Sequence, residues 1–140
     1  MKITTDTNIL VSSTFWTGDS LKIIESVEKK EIDLYLSKEI IEEFSSVLNY
    51  KDIQDKIKDK NLVMKRTVEQ ILTMSNIIEP KRKVEIVKED IDDNKIIECA
   101  VEAGVDYIIT KDKHLLKIKE FEGIEIITPE EFVKKIKNFE

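Results

Sequence analysis

Residues 94–112 read NKIIECAVEAGVDYIITKD, and their apolar period changes part-way along. From Asn94 to Ala103 the spacing is helical, with Ile96, Cys99 and Ala103 near one another on the wheel. Asp92 or Asp93 is placed to cap this helix, and Gly104 stands where a left-handed C-terminal residue belongs. Tyr107 to Thr110 is then a short apolar run, the pattern of a strand covered on both faces. The same alternation extends outward. Toward the amino terminus, Ile3 to Thr5 reads as a strand, Ser20 to Lys30 as a helix with Leu21, Ile24 and Val27 on one face, and Ile32 to Leu36 as a second strand. Ser37 caps a helix carrying Ile40, Ile41, Phe44, Val47 and Leu48. Residues 52 to 76 read as helical with a break near Lys60 and Asn61, and 77 to 87 as an irregular connection. Toward the carboxyl terminus come a short helix from His114 to Ile118, a last strand from Ile124 to Ile127, and a helix start at Thr128, Pro129, Glu130 and Glu131. That start combines a cap, a proline at the first position and a Glu three residues after the cap.

Strands separated by helices predict a doubly wound α/β fold with a central parallel sheet. The 140 residues have the length of one domain spanning 1–140, with three glycines, two prolines, no repeat and no low-complexity linker. No apolar run approaches the roughly 20 residues that cross a bilayer, and the opening MKITTDTNIL lacks the pattern of a secretion signal, so no membrane partner and a cytoplasmic location are expected. A single cysteine, Cys99, excludes a disulfide framework and a thiolate metal cluster. A single histidine, His114, excludes an imidazole-rich one, so any metal is expected on oxygen. The net charge of −6 argues against a broadly basic nucleic-acid surface, although cations bound by clustered carboxylates would supply positive charge locally.

An Asp directly after a buried strand is costly unless its charge is paired, coordinated or used in a turn, and the chain has two, Asp6 and Asp112. In α/β sheets ligands bind at the carboxyl ends of the strands, near the point where strand order reverses. Both acids belong to that edge. The acidic run from Glu89 to Asp93 opens the helix of residues 94–103, and helix starts lie on the same edge. There the acids complement the helix dipole, so a structural role competes with a catalytic one. Glu42 and Glu43 point about 100° apart on their helix, and helical geometry leaves open which faces inward.

These segments resemble the PIN-domain family in its toxin-like prokaryotic branch. The likeness is carried in order by DTNILV from Asp6, SKEIIEEF from Ser37, DIDDNKIIECA from Asp90, TKDKHLL from Thr110 and IITPEEF from Ile126. The resemblance implies a three-layer α/β/α sandwich and a divalent-metal endoribonuclease acting on single-stranded RNA, often the toxin paired with an antitoxin protein. It assigns the catalytic and metal-binding acids to Asp6, Glu43, Asp93 and Asp112, with Asn8 and Thr110 as polar supports, and so selects Glu43 over Glu42. Lys111 departs from a frequent small residue, His114 from a frequent acid and Ile91 from a common proline.

Oxygen ligands favour Mg²⁺ or Mn²⁺, which in a carboxylate cluster activate water and hold a phosphodiester for hydrolysis to a 5′-phosphate and a 3′-hydroxyl. Lys111, Lys113 and His114 are candidate phosphate contacts, and solvated surface roles suit all three equally or better. Trp16 is a candidate for stacking on a base, with a core or dimer role beside it; Cys99 reads as packing. The apolar helical residues between 53 and 76, together with the resemblance, point to a homodimer. Two other readings are a degenerate fold kept for protein binding and a phosphoacceptor signalling domain. The latter would need a paired acid after the first strand and a Lys ending the last, whereas Asp6 stands alone and Ile127 and Thr128 close the last strand.

Overall fold

The computed structural model describes residues 1–15, 18–51, 55, 69–87 and 91–139, with the side-chain surroundings of 12–15, 91–92 and 138–139 outside that description. The expectations for Trp16 and for helix over residues 56–68 lie outside the described residues. Elements follow in the order β1 Lys2–Thr5, α1 Thr7–Phe15, α2 Asp19–Glu28, β2 Asp33–Ser37, α3 Lys38–Leu48, β3 Asn76–Ile78, α4 Ile91–Ala103, β4 Tyr107–Ile109, α5 Lys113–Leu116, β5 Glu120–Phe121, β6 Ile124–Ile127 and α6 Pro129–Phe139. Among the described residues the strands form one sheet in the order β3-β2-β1-β4-β6-β5, parallel throughout except for β5 against β6.

Successive strand residues face opposite sides of a sheet, so a strand buried at every position is covered on both. Ile3, Thr4 and Thr5 of β1, and Ile108 and Ile109 of β4, are all fully buried. The central strands therefore lie between helical layers, as the α/β/α reading expects. From β1 the chain builds outward through β2 to β3, then returns to lay β4 on the other side of β1. The order reverses between β1 and β4, and the crevice belongs there.

Several elements sit where the sequence places them, for stated local reasons. Ser37 accepts a hydrogen bond from the Ile40 N–H at 3.3 Å, and Thr128 accepts one from the Glu131 N–H at 3.2 Å, each a side-chain cap. Gly104 has φ +64°, and the Val105 N–H reaches back to the Ala100 carbonyl at 3.2 Å, closing α4 with a left-handed residue. Cys99 is fully buried against the sheet, its sulfur 3.6 Å from the Thr4 hydroxyl; burial pushes its thiol up to about 11, which makes it packing rather than a nucleophile.

Other expectations are corrected. Residues 7–15, rich in Thr, Ser and β-branched residues, carry no strong helix signal in the sequence yet form α1. Asp6 caps it by accepting the Ile9 N–H at 3.0 Å, while Ile9 and Leu10 are buried. The helix expected to reach residue 76 ends at 74, and the connection expected over 77–87 begins with β3, because Asn76 to Ile78 pair with Tyr35 to Ser37. On α2 the buried residues are Ser20, Ile23, Ile24 and Val27, with Leu21 only partly covered. The short helix is Lys113–Leu116 rather than His114 to Ile118, because Asp112 caps it one residue earlier. A two-residue strand, β5, returns on β6 through Glu122 and Gly123, both at positive φ, the conformation of a tight hairpin turn. Finally, α4 begins at Ile91, so Asp93 sits in its first turn and Asp92 and Asp93 are not its cap.

Asn94 ties the stretch before α4 to the helix. Its Oδ1 accepts the N–H groups of Ile86 and Val87 at 3.0 and 2.8 Å, and its Nδ2 donates to the Val87 carbonyl at 2.9 Å. Replacing Asn94 with Ala strands these groups, one donor of them buried, and a stranded buried group costs about 1–3 kcal/mol. Asn94→Ala is accordingly expected to lower stability by about 2 kcal/mol, read as a drop in the urea midpoint at unchanged m-value. A midpoint within error of the parent would mean that the clamp is not formed in solution.

Candidate functional site

Thr4 pairs with Ile108 and Thr5 with Ile109, so the next rung past the strand ends brings Asp6 opposite Thr110. There the side chains take over from the backbone: the buried Thr110 hydroxyl donates to Asp6 Oδ2 and accepts the Asp112 N–H at 2.9 Å. Asp6 Oδ1 meanwhile accepts the Ile9 N–H. Asp6 is thus held on both oxygens, with the Asn8 N–H as a further donor to the carboxylate, which still has capacity to accept. It is only 5% exposed, and burial is the main influence raising its carboxyl above the usual range. The Thr110 hydroxyl and the Ile9 N–H oppose that rise, and the charge of Asp112 adds to it.

Asp112 caps α5, its Oδ1 accepting the His114 N–H at 2.7 Å. Asp93, 6% exposed in the first turn of α4, approaches the same edge because a helix returning between parallel strands starts where the strands end. Glu43 reaches it from the middle of α3. Asp6, Thr7, Asn8, Glu43, Asp93, Ile96 and Asp112 together line a cavity of about 60 Å³. Four carboxylates that lie far apart along the chain are therefore gathered at one point, beside the β1/β4 reversal. Glu42 does not line this cavity.

The supporting residues divide. Thr110 is in the hydrogen-bond network, and Asn8 is exposed but lines the cavity. Lys111, Lys113 and His114 are exposed around Asp112. His114 stands beside two of these acids: its imidazole and the carboxylates of Asp93 and Asp112 each offer a ligand atom, all within 4.8 Å of one another. Sequence reasoning missed this because it counted one histidine as too few for a metal site, although the two-residue spacing from Asp112 across a helix cap was a usable signal. Thr7 was also missed; it lines the cavity, and its buried hydroxyl is without a hydrogen-bond partner among the described residues.

A second hollow, about 590 Å³, lies between residues 80–87 and α4, beginning one residue from Asp93. It presents Lys81, Lys83 and Lys95 together with Glu39, Glu85 and Glu98. Its charges are mixed, and none of the four gathered carboxylates lines it. No helix among the described residues is long and apolar enough to cross a membrane.

Comparison with known proteins agrees with this fold. The family model described as "PIN domain" matches residues 2–114. Among solved structures, a chain in the crystal structure of VapBC2 from Rickettsia felis bound to a DNA fragment from their promoter aligns with a TM-score of 0.60. The two share 15% sequence identity, and the alignment covers 91% of this chain and 98% of that one, a likeness of fold. No curated protein sequence matches.

Proposed function

This chain belongs to the PIN-domain family, and from that premise we propose that it is a divalent-metal-dependent endoribonuclease that hydrolyses single-stranded RNA as the toxin of a toxin–antitoxin pair. The observation that carries the reading is the convergence of Asp6, Glu43, Asp93 and Asp112 on one small cavity at the sheet's carboxyl edge. Carboxylates crowd in this way at a cost unless something positive is held among them.

The donor set fits a hard divalent ion: the ligands offered are mostly carboxylate oxygens, and the cavity exceeds the roughly 30 Å³ of one water in the liquid. Asp6, Glu43, Asp93 and Asp112 would hold Mg²⁺ or Mn²⁺, which supplies positive charge for a phosphodiester and for attacking water. The chain's own part is positioning. Thr110 and the Ile9 N–H fix the Asp6 carboxylate, and Thr110 also anchors the backbone of Asp112, so the acids from β1 and β4 keep a set separation. Lys111 and Lys113 stand where RNA phosphates would approach, and Lys95, Lys81 and Lys83 line the hollow alongside.

Labelled single-stranded RNA incubated with the protein should be cut with Mg²⁺ or Mn²⁺, should stay intact with a chelator, and should yield 5′-phosphate ends. Failure to cut under any metal would sink the nuclease reading. The antitoxin partner rests on the family resemblance and on the shared fold with a chain of VapBC2. A homodimer is part of the same reading, although most of the 53–76 segment that suggested it lies outside the described residues; light scattering should give twice the chain mass, and a monomer at high concentration would exclude it.

A further inference from the structure

His114 is the second residue of the α5 helix that Asp112 caps. Its backbone N–H binds Asp112 Oδ1 at 2.7 Å, and its ring Nδ1 lies 3.7 Å from that same oxygen, so the imidazole folds back toward the carboxylate. Asp93 closes the group, the ligand atoms of all three residues lying within 4.8 Å of one another. In a six-coordinate ion with bonds of about 2.1 Å, adjacent ligands are roughly 3 Å apart and opposite ones roughly 4.2 Å. Small rotations of these side chains would therefore bring all three around one ion. The His114 side chain is 46% exposed, which leaves its ring room to turn.

We infer that His114 is a metal ligand, and that with Asp93 and Asp112 it forms a mixed nitrogen and oxygen position that prefers a first-row transition dication such as Mn²⁺ over Mg²⁺. The inference rests on the carboxylate site proposed above and adds to it the identity of the ion. Magnesium is held almost entirely by oxygen and gives up its waters reluctantly, whereas imidazole suits the later first-row dications best, and Mn²⁺, the weakest binder of that row, still accepts nitrogen more readily than Mg²⁺. A neutral imidazole also adds a ligand without adding negative charge beside the buried Asp93. Four carboxylates and an imidazole bind a dication with less mutual repulsion than five carboxylates would.

The chain has one histidine, so any directly bound imidazole nitrogen is that of His114. The test is electron spin-echo spectroscopy of the intact protein loaded with Mn²⁺, beside calorimetric titrations with Mn²⁺ and Mg²⁺, for the parent and His114→Ala. Nitrogen-14 modulation from a bound imidazole should appear in the parent and vanish in the variant. Mn²⁺ affinity should fall at least about tenfold in the variant, the lower end of what losing even an outer partner of a metal site costs, while Mg²⁺ affinity changes little. His114→Ala keeps the backbone N–H that Asp112 caps, so the fold is retained, and circular dichroism checks it. Mn²⁺ binding without nitrogen modulation, or equal losses for both ions, would overturn the role of His114 and leave the carboxylate site standing. Binding of neither ion by the parent would overturn both.

Discussion

Asp93→Asn should leave the protein folded and lower RNA cleavage by about a hundredfold or more. The two effects separate because the side chain has two tasks. In the first turn of α4 its charge complements the helix dipole, a contribution of about 0.3–1 kcal/mol that the amide gives up. The same change removes a negative charge that is 6% exposed and crowded by other acids, and this offsets much of the loss. Net stability should therefore move by no more than about 1 kcal/mol. Catalysis has no such offset. A neutral amide is a poorer ligand for a hard dication, and loss of a single preorganised electrostatic contact typically costs about 10²–10³ in rate. Asp92→Asn is the control, since the family resemblance gives that neighbour no ligand role, and its cleavage should stay close to that of the parent. The readout is initial rate on end-labelled RNA with Mg²⁺ or Mn²⁺, beside a denaturant curve for each variant. Undiminished cutting by a folded Asp93→Asn protein would show that the carboxylate cavity is not where the reaction occurs.

Metal should raise the melting temperature of the parent by about 10 °C, and Asp6→Asn should remove most of that gain while stabilising the chelated protein. Ligand linkage gives about 2.7 kcal/mol at a free metal concentration a hundred times Kd. At this chain length 1 kcal/mol corresponds to about 4 °C. The second half follows from the raised carboxyl of Asp6. Without metal, the folded protein keeps the Asp6 proton to a higher pH than the unfolded chain does. The associated stability is fully present below the unfolded value near 3.8 and is lost as pH rises through the folded one, above which the buried charge opposes folding. Asparagine restores a neutral group there, with its carbonyl still able to accept the Ile9 N–H. A chelated Asp6→Asn protein melting below the chelated parent at pH 7 would contradict the cost assigned to the buried Asp6 charge. No metal shift in the parent at millimolar concentration would count against the cation site itself.

The chain alone determined the alternation of strands and helices, because each element's apolar period is a local property. It also placed the Ser37 and Thr128 caps, the left-handed Gly104, and the acids that follow β1 and β4. It could name Asp6, Asp93 and Asp112 as belonging to one edge, since helix starts and strand ends share an edge in any parallel α/β sheet. Three things came only with tertiary structure. The helix α1 has weak intrinsic propensity and depends on capping by Asp6 and on burial of Ile9 and Leu10. The strand β3 has three residues, too few for a period to show, and is identified by its pairing with β2. At the site, helical geometry alone left Glu42 and Glu43 equivalent, and the packing of α3 is what brings Glu43 to the cavity. His114 follows the same logic. Its ring approaches Asp93 only because α4 and the cap of α5 meet at the sheet edge, a distance between residues 21 positions apart that no local pattern encodes.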